Sequence, residues 1–353
     1  MLTFEQQLVP VWDTDTVYGE SLTMVRDAAG VAAAPLLYAP KQILEVTSAT
    51  GEEFYEEGRD WVWRDGLFTL TAESRIFAFT QEELYPAEGE TGVTSFPMPG
   101  GNIRFAEGDF FHRRQIAVTY TTDRCDWPGV KPVSAAAQLP RTFAALREAR
   151  PLHVLLFGDS ISLGGNASKM SSIPPYQASY GELLCEALAR KYGAPVRFTN
   201  NAIGGQETTW GIKWVDRMVC DYRPDLVVLA FGMNDGNKTP EEFAGHTRTI
   251  IEHIRSACPD TELLLVATST PNPILTDPAA PFWGTQSLFK PALDALAADP
   301  ALGGGMAVAD ITGMQQALHS RKRFIDTTGN HVNHPNDFFH RCYAQYLLGM
   351  LSE

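Results

Sequence analysis

The sequence predicts an α/β chain in two parts: an antiparallel β-sandwich of jelly-roll type over residues 1–130 and a parallel-sheet domain of βαβ units over residues 151–353, joined by a connector at 131–150. Three observations predict it. Up to about residue 130, apolar residues recur with a period of two in short runs punctuated by Gly, Pro, Asp or Asn, the pattern of half-exposed antiparallel strands. From Leu152 the apolar runs become continuous, as parallel strands buried on both faces require, and they alternate with stretches of helical period. Between these regimes Pro128, Pro132 and Pro140 interrupt regular structure.

Taken in order, "QILEVTS", "WVWRDGLFTLT", "SRIFAFT" and "RQIAVTYTT" read as strands of the first part. The Asp65-Gly66 pair between two alternating runs signals a tight hairpin. The connector ends in a short helix at "TFAALREAR". In the second part "LHVLLF", "DLVVLAF", "ELLLVA" and "MAVAD" are buried strands. The helices are "YGELLCEALARKYG", closed by Gly193, "WGIKWVDRMVCD", "TPEEFAGHTRTIIEHIRSA" with Thr239 as cap and Pro240 in the first turn, "SLFKPALDALAA", and a last helix after Pro335.

The 353 residues and a 44% hydrophobic share are enough to bury a proper core. A formal net charge of −14 without a basic block weighs against phosphate backbones and anionic lipid, so neither nucleic acid nor a membrane is an expected partner. The oligomeric state is open. The opening "MLTFEQQLVPVWDTDT" lacks the basic and apolar regions of a secretory leader, and a cytoplasmic chain is expected. Five widely spaced cysteines, with no CxxC pair, read as thiols rather than a disulfide framework or a zinc site.

In parallel sheets ligands sit beyond the carboxyl ends of the strands, so the polar residues that follow the apolar runs become the candidates. These are Ser160 in "GDS", the turn "NNAIGGQET", Asn234 in "GMND", and His334 in "NHVNHPND" ahead of the last helix. The set suits acyl transfer. A serine hydroxyl needs a base to take its proton, and His334 can be that base. The oxyanion that develops needs aimed donors, which a glycine N–H and an asparagine amide can supply.

In this order the segments resemble the four blocks of the SGNH (GDSL) hydrolase superfamily, over about residues 150–353. The resemblance places Ser160 as nucleophile, Gly205 and Asn234 with the Ser160 N–H in the oxyanion hole, and His334 as base. It implies a flavodoxin-like three-layer α/β/α domain, ester hydrolysis through an acyl-serine, and neither a metal nor an organic cofactor. The family places an aspartate three residues before its histidine, where this chain has His331. We therefore expect a Ser-His dyad in which a backbone carbonyl accepts the ring N–H, with Asp326 or Asp337 as an acid supplied from elsewhere as the alternative. His331 itself either touches substrate or fills a pocket wall.

The small-residue segment "LGGNASKMSSIPPYQAS" after the nucleophile reads as a pocket wall or lid. Trp210 reads as core or sugar-cleft lining, and Trp283, among prolines, as an exposed aromatic platform. His112 in "FFHRRQ" is either a substrate contact or part of a cluster that pairs with acids of the second domain. A leading β-sandwich on such a domain resembles two-domain carbohydrate esterases, which implies removal of short acyl groups, acetyl foremost, from carbohydrates. The alternatives are an esterase or thioesterase acting on a small acyl metabolite, and a catalytically degenerate carbohydrate-binding protein.

Overall fold

The computed structural model describes all 353 residues. The first part begins with a one-turn helix, α1 (Phe4–Gln7), and strand β1 (Thr16–Thr23), followed by β2 (Ala33–Ala34), β3 (Gln42–Ser48), β4 (Trp61–Arg64) and β5 (Leu67–Leu70). After α2 (Gln81–Leu84) come the hairpin β6 (Thr94–Met98) and β7 (Gly101–Phe105), then β8 (Gln115–Thr121). Pairing is antiparallel throughout, in two three-stranded sheets ordered β1-β8-β3 and β2-β5-β4, plus the hairpin. Asp65 and Gly66 link β4 to β5 with φ of 53° and 75°, the left-handed pair that a tight hairpin turn demands.

"SRIFAFT" is not a strand. Its backbone forms one isolated bridge, Val25 to Phe79, because Arg75 is drawn to the buried Asp60 carboxylate at 2.6 Å and Thr80 caps α2.

The connector leads through α3 (Pro140–Arg147) to β9 (Leu152–Gly158), the short α4 (Ser160–Leu163), α5 (Tyr180–Tyr192), β10 (Val196–Asn200), α6 (Thr208–Met218) and β11 (Leu226–Ala230). Next are α7 (Pro240–Ala257), β12 (Glu262–Ala267), α8 (Phe289–Ala297), β13 (Met306–Asp310), α9 (Ile311–His319) and α10 (Asp337–Met350). The five strands form one parallel sheet ordered β10-β9-β11-β12-β13. Alternation along β9 shows the layering. Val154 and Leu156 face α3, α5, α9 and α10, whereas Leu155 and Phe157 face α6, α7 and α8. No helix is long and apolar enough to cross a membrane.

The first of those apolar layers does not stop at the domain. It runs on through Leu22, Val46, Phe68, Val118 and Tyr120 of the N-terminal sheets. A buried polar seam accompanies it: Lys322 meets Glu20 at 2.5 Å with both side chains fully buried, and Tyr120 donates to the same carboxylate at 2.7 Å. Beside them Asp326 accepts the Thr23 N–H at 2.9 Å, and Thr23 Oγ1 donates to the Ile325 carbonyl at 2.8 Å. Charges buried this deeply are stable only while each keeps its partner. The seam thus holds β1 against the segment that leads to the last helix.

Candidate active site

The site is assembled where β9 and β11 end. Ser160 follows β9 directly, in a turn whose geometry Asp159 sets: one carboxylate oxygen accepts the Ile161 N–H at 3.0 Å and the other the Met233 N–H at 3.2 Å. Asp159 is therefore a brace between two strand ends. Burial pushes its carboxyl up to about 7, against the backbone N–H groups that favour the charged form. Asp159→Ala leaves two buried N–H groups without an acceptor, and we expect it to cost about 1–3 kcal/mol in urea unfolding. Since the folded carboxyl binds its proton more tightly than the unfolded one, its contribution to stability is present at acid pH and is lost as pH rises toward 7. The substitution removes that slope.

His334 lies in the loop before α10, with its Nε2 2.8 Å from Ser160 Oγ. Its Nδ1 is 2.9 Å from Asn166 Oδ1 and 3.3 Å from Glu107 Oε2. The Asn166 amide nitrogen donates to the Gly108 and Gly329 carbonyls at 3.0 and 3.1 Å, so its oxygen must face the ring. That oxygen can only accept. The imidazole hydrogen accordingly sits on Nδ1, and the Nε2 lone pair faces the serine hydroxyl.

The loop that carries His334 is held by Asn330. Its side-chain oxygen accepts the N–H groups of Val332, Asn333 and His334 at 2.9–3.0 Å, and its amide nitrogen donates to Glu107 Oε1 at 3.2 Å. Close packing leaves no space for larger residues. A Cβ on Gly165 would lie 2.9 Å from His334 Nδ1, and one on Gly329 would lie 2.4 Å from the Asn166 Cβ. Burial pushes the Glu107 carboxyl up, but the His334 hydrogen bond and charge, with Asn330, hold it below the ordinary range.

On the other side of Ser160, the turn after β10 is pinned by Ile203 N–H to the Gly158 carbonyl at 3.1 Å. A Cβ on Gly204 would come within 3.9 Å of the Ser160 Cβ, and Gly205 has φ of +73°. Asn234 is buried and donates one amide hydrogen to the Gln206 carbonyl at 3.0 Å, which orients the second. Asp235 accepts the Thr208 N–H at 3.0 Å and so ties the Asn234 turn to the start of α6. These contacts bring the Gly205 and Asn234 segments to one place beside the serine.

Other candidates are placed elsewhere. The ring acceptor is neither a backbone carbonyl nor Asp326 or Asp337. Asp326 is spent on Arg323 at 2.8 Å and on Thr23, and Asp337 accepts the Ser168 N–H at 2.8 Å. His331 is buried with φ of +72°, its ring packed between Tyr85 and Phe111, and burial pushes its imidazole down to about 3. It is neutral and walls the loop. Trp210, half-buried on α6, packs against Phe157 and Phe231 of the core. Trp283 is half-buried, its indole N–H donating to the Leu275 carbonyl at 2.7 Å, so it is not an exposed platform. His112 is buried against the Pro174 carbonyl at 2.9 Å, and its neighbour Arg113 pairs with Asp109 of the same turn rather than with the second domain. The segment after Ser160 is bonded to the start of α10 through Ser168, Gln177 and Arg341.

Glu107, Asn166 and Asn330 escape the sequence reading. Asn166 and Asn330 sit inside segments already singled out, whereas nothing local marks Glu107, which the fold brings in from the turn after β7. No group of three or more His, Cys, Asp or Glu is arranged to hold a metal ion, and all five cysteines are free thiols.

Comparison with known proteins places this site in context. A model of the GDSL-like lipase/acylhydrolase family matches residues 156–342, just over half of the chain. The chain is similar to an arylesterase of Vibrio mimicus, 32% identical over 83 residues, which is 24% of this chain and 38% of that protein. Among solved structures it is similar to a two-domain esterase active on acetylated mannans, at 17% identity and a TM-score of 0.47, covering 62% of this chain and 54% of that one. It is also similar to a mutant of an acetyl-xylooligosaccharide esterase from Geobacillus, at 15% identity and a TM-score of 0.46, covering 57% of this chain and 94% of that one. The chain thus spans about half of the mannan esterase and well under half of the arylesterase.

Proposed function

The chain belongs to the GDSL-like lipase/acylhydrolase family, and we propose that it is a serine esterase that removes short acyl groups, acetyl foremost, from a polar carrier such as a carbohydrate. The observation that carries this reading is the Ser160 Oγ to His334 Nε2 contact at 2.8 Å, with the second ring nitrogen already held.

In the proposed reaction, His334 Nε2 takes the proton as Ser160 Oγ attacks the ester carbonyl. The oxyanion is met by the N–H groups of Ser160 and Gly205 and by the free amide hydrogen of Asn234. The intermediate collapses by breaking the bond to the alcohol oxygen, which receives the proton from His334, and acyl-Ser160 remains. Water, deprotonated by the same nitrogen, then releases the acid and returns the proton to the serine. Asn166 keeps the ring in the tautomer that both halves of the cycle use.

Charge supports the choice of carrier. Glu107, about half exposed, stands 3.3 Å from His334 Nδ1, and the chain as a whole carries a net charge of −14, a setting suited to a hydroxyl-bearing alcohol rather than to a lipid chain. We further propose residues 1–130 as a β-sandwich domain, 131–150 as connector and 151–353 as the catalytic domain. Trp61 and Phe68 of one three-stranded sheet and Val118 of the other, which share one apolar core, support the sandwich. The test is acetate release from acetylated oligosaccharides beside p-nitrophenyl esters of rising length. Acetate should turn over fastest, and preferred turnover of octanoate would defeat the short-acyl reading.

A further inference from the structure

The family's usual acid position holds His331, a buried neutral ring that supplies no charge. Asn166 fixes the tautomer of His334 but, being an amide, cannot balance the positive charge the ring acquires in each half-reaction. A carboxylate does stand at the same ring nitrogen. Glu107 Oε2 lies 3.3 Å from His334 Nδ1, on the turn after β7 rather than in the second domain. The next residue on that turn, Gly108, offers the carbonyl that anchors the Asn166 amide at 3.0 Å. One N-terminal turn therefore provides both the charge at the imidazole and the hold on its acceptor.

Glu107 is itself positioned by Asn330, the residue that gathers the His334 loop, so carboxylate and ring are aligned by a shared side chain. The other titratable groups that face the ring are Asp159 behind the nucleophile turn and His340 on α10. His340 is buried, its Nε2 on the Gly165 carbonyl at 3.1 Å. Of these titratable groups, only Glu107 bonds to the ring directly.

We propose that Glu107 is a positioning residue, contributed by the N-terminal part of the chain, that supplies the negative charge opposing the His334 imidazolium in place of the missing aspartate. This rests on the esterase reading above. The N-terminal part then completes the catalytic relay in addition to any role in substrate binding.

The experiment is kcat/KM against pH for p-nitrophenyl acetate, with wild-type protein, Glu107→Gln, Glu107→Asp and Ser160→Ala. Gln keeps the size of Glu and an acceptor for Asn330 but removes the charge. Glu107 is about half exposed, with 48% of its side chain accessible, so water screens part of the effect. We expect Glu107→Gln to lower kcat by roughly 10- to 100-fold with KM little changed. The acid limb of the profile should move to lower pH, because the charge that opposes the protonated ring is gone. Glu107→Asp, whose carboxylate sits farther from the ring, should restore part of the rate and leave the limb between the wild-type and Glu107→Gln positions. A purely structural Glu107 would lower activity without moving the limb.

A wild-type kcat and an unmoved acid limb in Glu107→Gln would overturn the proposal, as would a lowered rate with the limb in place. If Glu107→Gln fails to fold, Glu107→Asp decides alone: its carboxylate sits farther from the ring, so a limb between wild type and the uncharged case supports the proposal and an unmoved limb refutes it. Ser160→Ala separates the two readings. Hydrolysis surviving in Ser160→Ala would remove the esterase reading, whereas an inactive Ser160→Ala beside a fully active Glu107→Gln would remove only the Glu107 proposal.

Discussion

Ser160→Ala is expected to lower kcat for p-nitrophenyl acetate by about 10⁴- to 10⁶-fold while leaving the fold intact. The loss should be nearly complete because no neighbouring hydroxyl can substitute. Ser162 is buried and bonded to Tyr180 Oη at 2.6 Å, turned into the core beneath β9. The Ser160 side chain has no structural partner besides His334, so thermal unfolding should move by no more than a degree or two. His334→Ala should cost about as much as Ser160→Ala, and the double substitution little more, since the two groups act as a unit. A stepwise, additive loss would mean that they act separately.

The second large effect is Asn166→Ala, for which we expect kcat to fall by about 10²- to 10⁴-fold, the range between losing a positioned proton-transfer partner and losing the tautomer outright. Without the amide oxygen, His334 Nδ1 keeps only the longer contact to Glu107, and both the ring's orientation and its tautomer are held less firmly. Asn166→Asp is an informative companion. One oxygen would still face the ring, but the other would be turned onto the Gly108 and Gly329 carbonyls, where acceptor meets acceptor. We expect that variant to unfold several degrees earlier than wild type in calorimetry, at about 2–4 °C per kcal/mol lost for a chain of this size or somewhat smaller. Retention of full activity by Asn166→Ala would show that Glu107 alone orients the ring.

The parallel domain was legible because each of its cues is local. Continuous apolar runs give β9, β11, β12 and β13, and Thr239-Pro240 and Gly193 mark a helix start and a helix end. The N-terminal half was read less well, and β1 shows why. "TVYGESLT" carries a glutamate and several hydroxyl residues, a composition that suggests an exposed segment, yet most of the strand is buried. Its polar groups are satisfied by Lys322, Asp326 and Ile325, some three hundred residues away. "SRIFAFT" failed in the opposite sense: its alternation is regular, but Arg75 serves Asp60 and the strand never forms.

The site divides along the same line. Ser160, Gly205, Asn234 and His334 stand at strand ends and in the loop before the last helix, where sequence order itself suggests them. The acceptors for the ring do not, because a neutral amide in a left-handed turn and a glutamate from another part of the chain meet His334 only through the fold. The expectation of a backbone carbonyl was wrong for that reason.

The measurement that tests the account most directly is peptide mass spectrometry of the protein quenched in acid during turnover of p-nitrophenyl acetate. The account predicts one acetyl group, carried on Ser160 and absent from Ser160→Ala. Continued hydrolysis with Ser160 unmodified, or an acetyl group on another side chain that persists in Ser160→Ala, would contradict it.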